Sequence, residues 1–393
     1  MPWKAKSPMD LRKEFIQRLA AGERLIDLCR EYGISRKTGS KYKKRHEQLG
    51  ARGLVDRSRA PKVIPHKTPP EVEQVIIAER LQHPTWGPRK LKETLERRLE
   101  RSFPSAAAIG SVLTRNGLVQ RRKRRQRHQP LPTTLREATS PNDVWCIDYK
   151  GQFRLGDTTY CYPLTITDQF SRYILGCEGM AAISDEEARE VCQEVFICHG
   201  LPAVMRSDNG VPFSSTGLAG LTKLSVFWLR LGITLERIRP AHPEENGRHE
   251  RMHRTLKFET ARPARGNLLQ QQERFDEFVE EFNTLRPHEG LDMKRPADVY
   301  MPSVRQYPNR LPAPPYLTFD DVIRVNRGGQ IYIPGVGQVV LGAALAGEQI
   351  GVREERDGRW LVNFCGIDLG HAGPGRRTFT PTTSSSPPEV SAT

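Results

Sequence analysis

The chain has 393 residues, with 61 Lys and Arg against 46 Asp and Glu, a formal charge of +15. That surplus implies a polyanionic partner, most often nucleic acid. No run approaches the roughly 18 apolar residues of a membrane span, so no membrane partner is expected.

The opening MPWKAKSPMD has no apolar signal core. The seven cysteines include no CxxC pair and sit mostly in apolar runs. They give no disulfide framework or zinc site and fit a reducing cytoplasm.

Residues 9–47 read as three short helices. Leu11, Phe15, Ile16 and Leu19 form the first apolar stripe, and Leu25, Leu28, Cys29 and Tyr32 the second. Ser35 is a natural N-cap for a third helix carrying Arg36, Lys37, Lys41, Lys43 and Lys44. A short turn before a strongly basic helix is the helix-turn-helix pattern, so residues 1–50 form the expected DNA-binding domain. Residues 51–69 are a Gly-, Pro- and Arg-rich linker.

Residues 70–128 repeat the three-helix plan and end in a basic run. Pro88 suits a first helical turn, Leu91, Leu95 and Leu99 form a stripe, and Ser105 can cap the last helix. The run contains Arg121, Arg122, Lys123, Arg124 and Arg125, suited to phosphate contacts.

The character changes near Pro141. Residues 144–155, 160–167 and 173–177 read as three antiparallel strands, rich in β-branched and aromatic residues. A helix from Ser184, a short strand delivering Asp208, a helix near 218–231, a strand near 233–238 and two more helices follow. This predicts a mixed α/β core over 140–302 with helices on both faces. After the linker at 311–315, residues 316–370 alternate short strands with Gly-rich turns, predicting a small β-barrel able to fold alone. Residues 373–393 are Pro-, Ser- and Thr-rich and read as a disordered tail.

Three acids carry the chemistry. Asp148 lies between Ile147 and Tyr149 inside a strand, where a carboxylate needs a partner or a cation. Asp208 follows a short strand in an Asp-Asn-Gly turn, at a carboxyl end where ligands gather. Glu250 sits on a helix starting at Asn246-Gly247, on one face with Arg254 and Lys257 and with His253 beside them. Met252, Thr255 and Leu256 make the opposite, apolar face. Singly, each acid reads as a turn residue, a surface ion-pair partner or a satisfied strand acid. Together they offer hard oxygen ligands for Mg²⁺ or Mn²⁺, and an ion pair about 3.5–4 Å apart supports phosphoryl transfer.

WCIDYKG (145–151), RSDNG (206–210), RPAHPEENGRHERMHRTLK (239–257) and RPHEGLDMKRPADVY (286–300) resemble the DDE integrase-core transposases of bacterial insertion sequences. The core is also similar to retroviral integrases. The resemblance implies a ribonuclease-H-like core, with Asp148, Asp208 and Glu250 as catalytic and metal-binding triad for two ions. It implies that Arg254 and Lys257 grip DNA, and that double-stranded transposon ends and target DNA are the partners of a homodimer or higher oligomer. Its activity would be 3′-end cleavage and strand transfer at terminal inverted repeats. A spacing common among relatives would instead place the third acid at Glu244, in the Pro-rich loop, but NGRHER aligns Glu250 with the helical glutamate. Asp168, in TDQFSRYI, reads as structural. The alternatives are a transposase-derived DNA-binding regulator without catalysis and a metal-dependent nuclease that only hydrolyses.

Overall fold

The computed structural model describes residues 6–57, 67–119, 135–239, 242–355, 358–373 and 379–382. They fall into two compact units, Met1–Lys67 and Thr68–Thr393. Arg121, Arg122, Lys123, Arg124 and Arg125 lie outside the described residues.

The first unit holds α1 (Pro8–Ala20), α2 (Leu25–Glu31) and α3 (Arg36–Leu49). Ser7 and Asp10 form a capping box at α1, and the Ser35 hydroxyl accepts from the Thr38 amide to start α3. Phe15, Ile16, Leu28, Cys29, Tyr42 and Leu54 make its core. Gly39 lets α3 come close, because a Cβ there would lie 2.5 Å from Cys29 Sγ. Arg36, Lys37, Lys41 and Lys44 are all exposed on α3.

The second unit opens with α4 (Pro70–Gln82), α5 (Pro88–Leu99) and α6 (Ala106–Arg115), packed around Ile76, Trp86, Leu91, Leu95, Ile109 and Val112. These helices are fastened to the α/β core. Thr85 donates to Glu259 at 2.6 Å, His83 meets Glu281 at 3.0 Å, and Arg97 bonds Asp298 at 3.0 Å.

The core sheet contains β1 (Val144–Tyr149), β2 (Phe153–Arg154), β3 (Tyr160–Asp168), β4 (Ile174–Met180), β5 (Val204–Ser207) and β6 (Thr234–Arg237). Its order is β2-β3-β1-β5-β6, with β4 also on β3. β3 runs antiparallel to β1 and β4, whereas β5 is parallel to β1 and β6. One apolar cluster joins the sheet to α7 (Asp185–His199) and α8 (Lys223–Arg230). Another joins it to α9 (Gly247–Thr260) and α10 (Leu268–Glu280). The helices thus cover both faces, as the alternation of elements predicts.

The expected C-terminal β-barrel is not closed. β7 (Asp321–Arg324), β10 (Gln349–Glu354), β11 (Trp360–Phe364), β12 (Ile367–Ala372) and β13 (Phe379–Pro381) form an open sheet of order β13-β12-β11-β10-β7. Among the described residues, β8 (Gln330–Ile333) and β9 (Gly337–Val340) pair only with each other. The apolar face is covered by other means than closure: Leu221, Val226 and Leu229, at and within α8, share its core with Ile350, Val352 and Phe364. The segment does not hold a sealed core of its own. β13 also shows that three residues of the expected disordered tail are paired strand.

Candidate active site

β1 and β5 run side by side in parallel, with Val144 opposite Val204, Trp145 opposite Met205 and Cys146 opposite Arg206. β1 runs on to Tyr149 and β5 ends at Ser207, so Asp148 and Asp208 lie at or just past the carboxyl ends of adjacent parallel strands. The turn after β5 is held locally. Asp208 Oδ1 accepts from the Gly210 amide at 3.0 Å, and Asn209 Nδ2 donates to the Ile238 carbonyl at 2.6 Å.

The third acid arrives on α9, which docks through two buried histidines. His249 and His253 stand one turn apart on its inner face with Met252 and Leu256. Thr165 Oγ1 lies 2.8 Å from His249 Nε2 and 2.6 Å from His253 Nε2, and Thr167 Oγ1 lies 2.7 Å from His249 Nδ1. Thr165 is also the cross-strand partner of Asp148 and donates to its carbonyl at 3.1 Å. With the Thr165 hydroxyl given to the Asp148 carbonyl, both rings donate from Nε2 to Thr165 and Thr167 donates to His249 Nδ1, while His253 Nδ1 faces Asp148 Oδ2 at 3.6 Å. His249 is then neutral. Burial agrees, pushing His249 down to about 3 and His253 well below the usual histidine range. α9 is therefore pinned to the strand position that faces Asp148, and exposed Glu250 projects beside His249. The sequence places His253 beside the polar stripe; the structure buries it instead, because its partner is a sheet threonine distant in sequence.

Asp148, Lys150, Glu250, His253, Arg254 and Lys257 line one cleft of about 450 Å³. Burial, then the charge of Asp208, pushes Asp148 up to about 7; Lys150 opposes this and Glu250 adds to it. Asp208 does not line this cleft, yet its charge is felt at Asp148. The Asp148 and Glu250 carboxylates are hard oxygen donors of the kind a divalent cation takes, and Lys150, Arg254, Lys257 and Arg262 give the rest of the cleft positive charge. A second donor set, Asp148 with His249 and His253, has ligand atoms within 4.8 Å of one another. Its His249 nitrogens are both committed to threonine hydroxyls, and carboxylate oxygen is the harder ligand, so Asp148 is the donor of that set best suited to Mg²⁺ or Mn²⁺.

Asp168 lies outside the cluster. Its carboxylate accepts from Ser171 N at 2.7 Å, Ser171 Oγ at 2.5 Å and Asn142 N at 2.8 Å, which fits a turn-holding acid. The side chain of Glu244 lies outside the described residues. Sequence reasoning missed Thr165, Thr167 and His249. The four-residue spacing of His249 and His253 was a visible signal, but the threonines on β3 were not.

Residues 138–243 match one integrase core domain model and residues 231–296 a second. Residues 11–62 match a helix-turn-helix domain and residues 38–113 a homeodomain-like domain. The chain thus carries a segment similar to the integrase core domain, behind segments similar to helix-turn-helix domains. Proteins of insertion sequences are among those it is similar to. It is 28% identical over 175 residues to the transposase for insertion sequence element IS904 of Lactococcus lactis subsp. lactis (strain IL1403), covering 41% of this chain and 62% of that one. It is 25% identical over 260 residues to the insertion element IS407 uncharacterized 31.7 kDa protein of Burkholderia multivorans (strain ATCC 17616 / 249), covering 62% and 87%. A Gag-Pol polyprotein of Baboon endogenous virus (strain M7) is 31% identical over 117 residues, 30% of this chain and 6% of the polyprotein. The chain thus spans less than two thirds of the IS904 transposase and a small part of the polyprotein. An integrase-type core implies dependence on a divalent metal ion. Among the described residues, no helix is long and apolar enough to cross a membrane.

Proposed function

We propose that this protein is a DDE transposase that binds the terminal inverted repeats of a mobile element, cleaves DNA at its 3′ ends and joins those ends to target DNA. The observation that supports the reading is the parallel pairing of β1 and β5, which end near Asp148 and Asp208, with Thr165 of the neighbouring strand bonded to the histidines of the Glu250 helix. Asp148, Asp208 and Glu250 would hold two Mg²⁺ or Mn²⁺ ions, which would supply activation of the attacking oxygen and stabilisation of the leaving one. Arg254 and Lys257, exposed on the Glu250 helix and lining its cleft, hold the DNA backbone. Arg36, Lys37, Lys41 and Lys44 belong to the end-recognition helix, and Arg121, Arg122, Lys123, Arg124 and Arg125 add phosphate contacts.

In the first step a water oxygen attacks the phosphorus at the element's end, and the bond to the 3′ oxygen breaks. That oxygen leaves as a 3′-hydroxyl, with the phosphate on the flanking strand. In the second step the 3′-hydroxyl attacks a target phosphodiester, forming one phosphate ester and freeing a target 3′-hydroxyl. Two ends must be held together, so the working form is a homodimer or larger assembly on DNA in the bacterial cytoplasm.

The test uses full-length protein, Mn²⁺ and labelled duplexes carrying the inverted repeats that flank the gene. Asp148→Asn, Asp208→Asn and Glu250→Gln should each abolish cleavage and strand transfer while DNA binding persists. The losses should not add, as for groups acting as one unit. Glu244→Gln should cleave as wild type. Abolished cleavage in that variant, beside an active Glu250→Gln, would move the third acid. Normal cleavage by all four variants would end the transposase reading, and cleavage without joining would leave a nuclease.

A further inference from the structure

A second cleft, about 1160 Å³, lies between the α4–α6 module and the outer face of α9. Seven Lys and Arg side chains line it against two acids, Asp168 and Glu289, and Asp168 is already bound to Ser171. Arg248, Arg251 and Arg254 are exposed along α9, Lys90 comes from the first turn of α5, and Arg172 from the turn after β3. Among the described residues, Lys90, Arg172, Arg251 and Arg254 make no ion pair. Cations that outnumber the acids beside them repel one another unless an anion joins them.

Three further observations point to a ligand. The Arg172 Nε atom is buried and unpartnered. Its guanidinium lies against Gly290, where a Cβ would come within 2.0 Å of Nη2. His288 is 8% exposed, lines the cleft, and has an unpartnered Nε2. The free amino end of the 12-residue α5 opens at the same wall, with no side-chain cap on Gly87. Electrostatics agree: burial and Arg286 push Lys90 down to about 8, and burial with the same cations drives His288 far below its usual range. An arriving anion would relieve both.

We propose that this cleft is a binding site for the sugar-phosphate backbone of DNA, in which Lys90, Arg172, Arg248 and Arg251 carry a strand from the second helical module toward the acids of the same chain. Arg254 and Phe258 line both this cleft and the one containing Asp148 and Glu250, so the two are continuous at that ridge. The inference rests on the proposed action on DNA and adds the path by which DNA enters. It also explains why the second module is fastened to the core, through Thr85, Glu259 and Arg286, beside this groove.

The experiment measures binding of full-length protein to a fluorescent random-sequence duplex over a salt series, with Ca²⁺ present. Backbone contacts are sequence-independent, and each one lost lowers the slope of log affinity against log salt by about one. Lys90→Met and Arg251→Gln should each lower it by about one, and the double variant by about two. Arg251 is exposed, so its replacement leaves the fold intact. Arg189→Gln, on α7 across the sheet, should leave the slope unchanged. Salt-dependent wild-type binding that neither variant alters, or an equal drop with Arg189→Gln, overturns the cleft alone. Wild-type binding without salt dependence removes both the cleft and the proposed function.

Discussion

At the scale of single residues, Thr165 ties the site together. Its hydroxyl meets His249, His253 and the Asp148 carbonyl, so one side chain fixes α9 against β1. Thr165→Val keeps the shape but leaves two buried ring nitrogens without partners, a cost of about 1–3 kcal/mol. The variant should melt several degrees lower and cleave DNA poorly, with its Mn²⁺ affinity reduced because Glu250 is no longer held. An unchanged melting temperature and unchanged Mn²⁺ binding would show that the threonine does not position the helix. The acids themselves were legible in the sequence, because Asp148 interrupts an apolar strand and Asp208 ends one. Their support was not. A threonine in YCYPLTITD looks like any strand threonine until a helix from about 85 positions later brings histidines to it.

At the scale of elements, α8 shows what sequence patterning can and cannot reveal. KLSVFWLR is apolar nearly all round, and residues Leu224 to Leu229 are all buried, which reads as a helix covered on both sides. What covers its outer side was not legible, since Gly-rich strands after a Pro-rich linker look self-sufficient. In the structure Leu229 is 8% exposed against the C-terminal sheet, and Arg230 pairs with Glu348. Leu229→Ala should therefore cost about 2–5 kcal/mol in the full chain. In a chain ending near Pro312, where Leu229 would face water, the same substitution should cost within about 0.5 kcal/mol. Thermal melts of the four proteins form the cycle that decides. Equal costs in both backgrounds would mean that the sheet does not cover α8.

At the scale of the whole molecule, the two helical modules differ in kind. The second is bonded to the catalytic core through Thr85, His83 and Arg97, so it acts with that core. The first is a compact unit with its own apolar centre, from Phe15 to Leu54. Composition and spacing read both as one kind of module, because tertiary docking leaves no periodic mark. A fragment of residues 1–67 should then fold alone and bind duplex DNA with strong salt dependence, since Arg36, Lys37, Lys41 and Lys44 are exposed on one helix. Replacing Arg36, Lys37 and Lys41 together by Ala should lower the salt slope by about three and weaken binding to repeat and random duplexes, while helix content by circular dichroism stays the same. Preference for the terminal repeat over random sequence should survive in the wild-type fragment, because base contacts rather than phosphates carry it. A folded fragment that binds both duplexes equally would move end recognition out of the first module and onto the one held against the catalytic core.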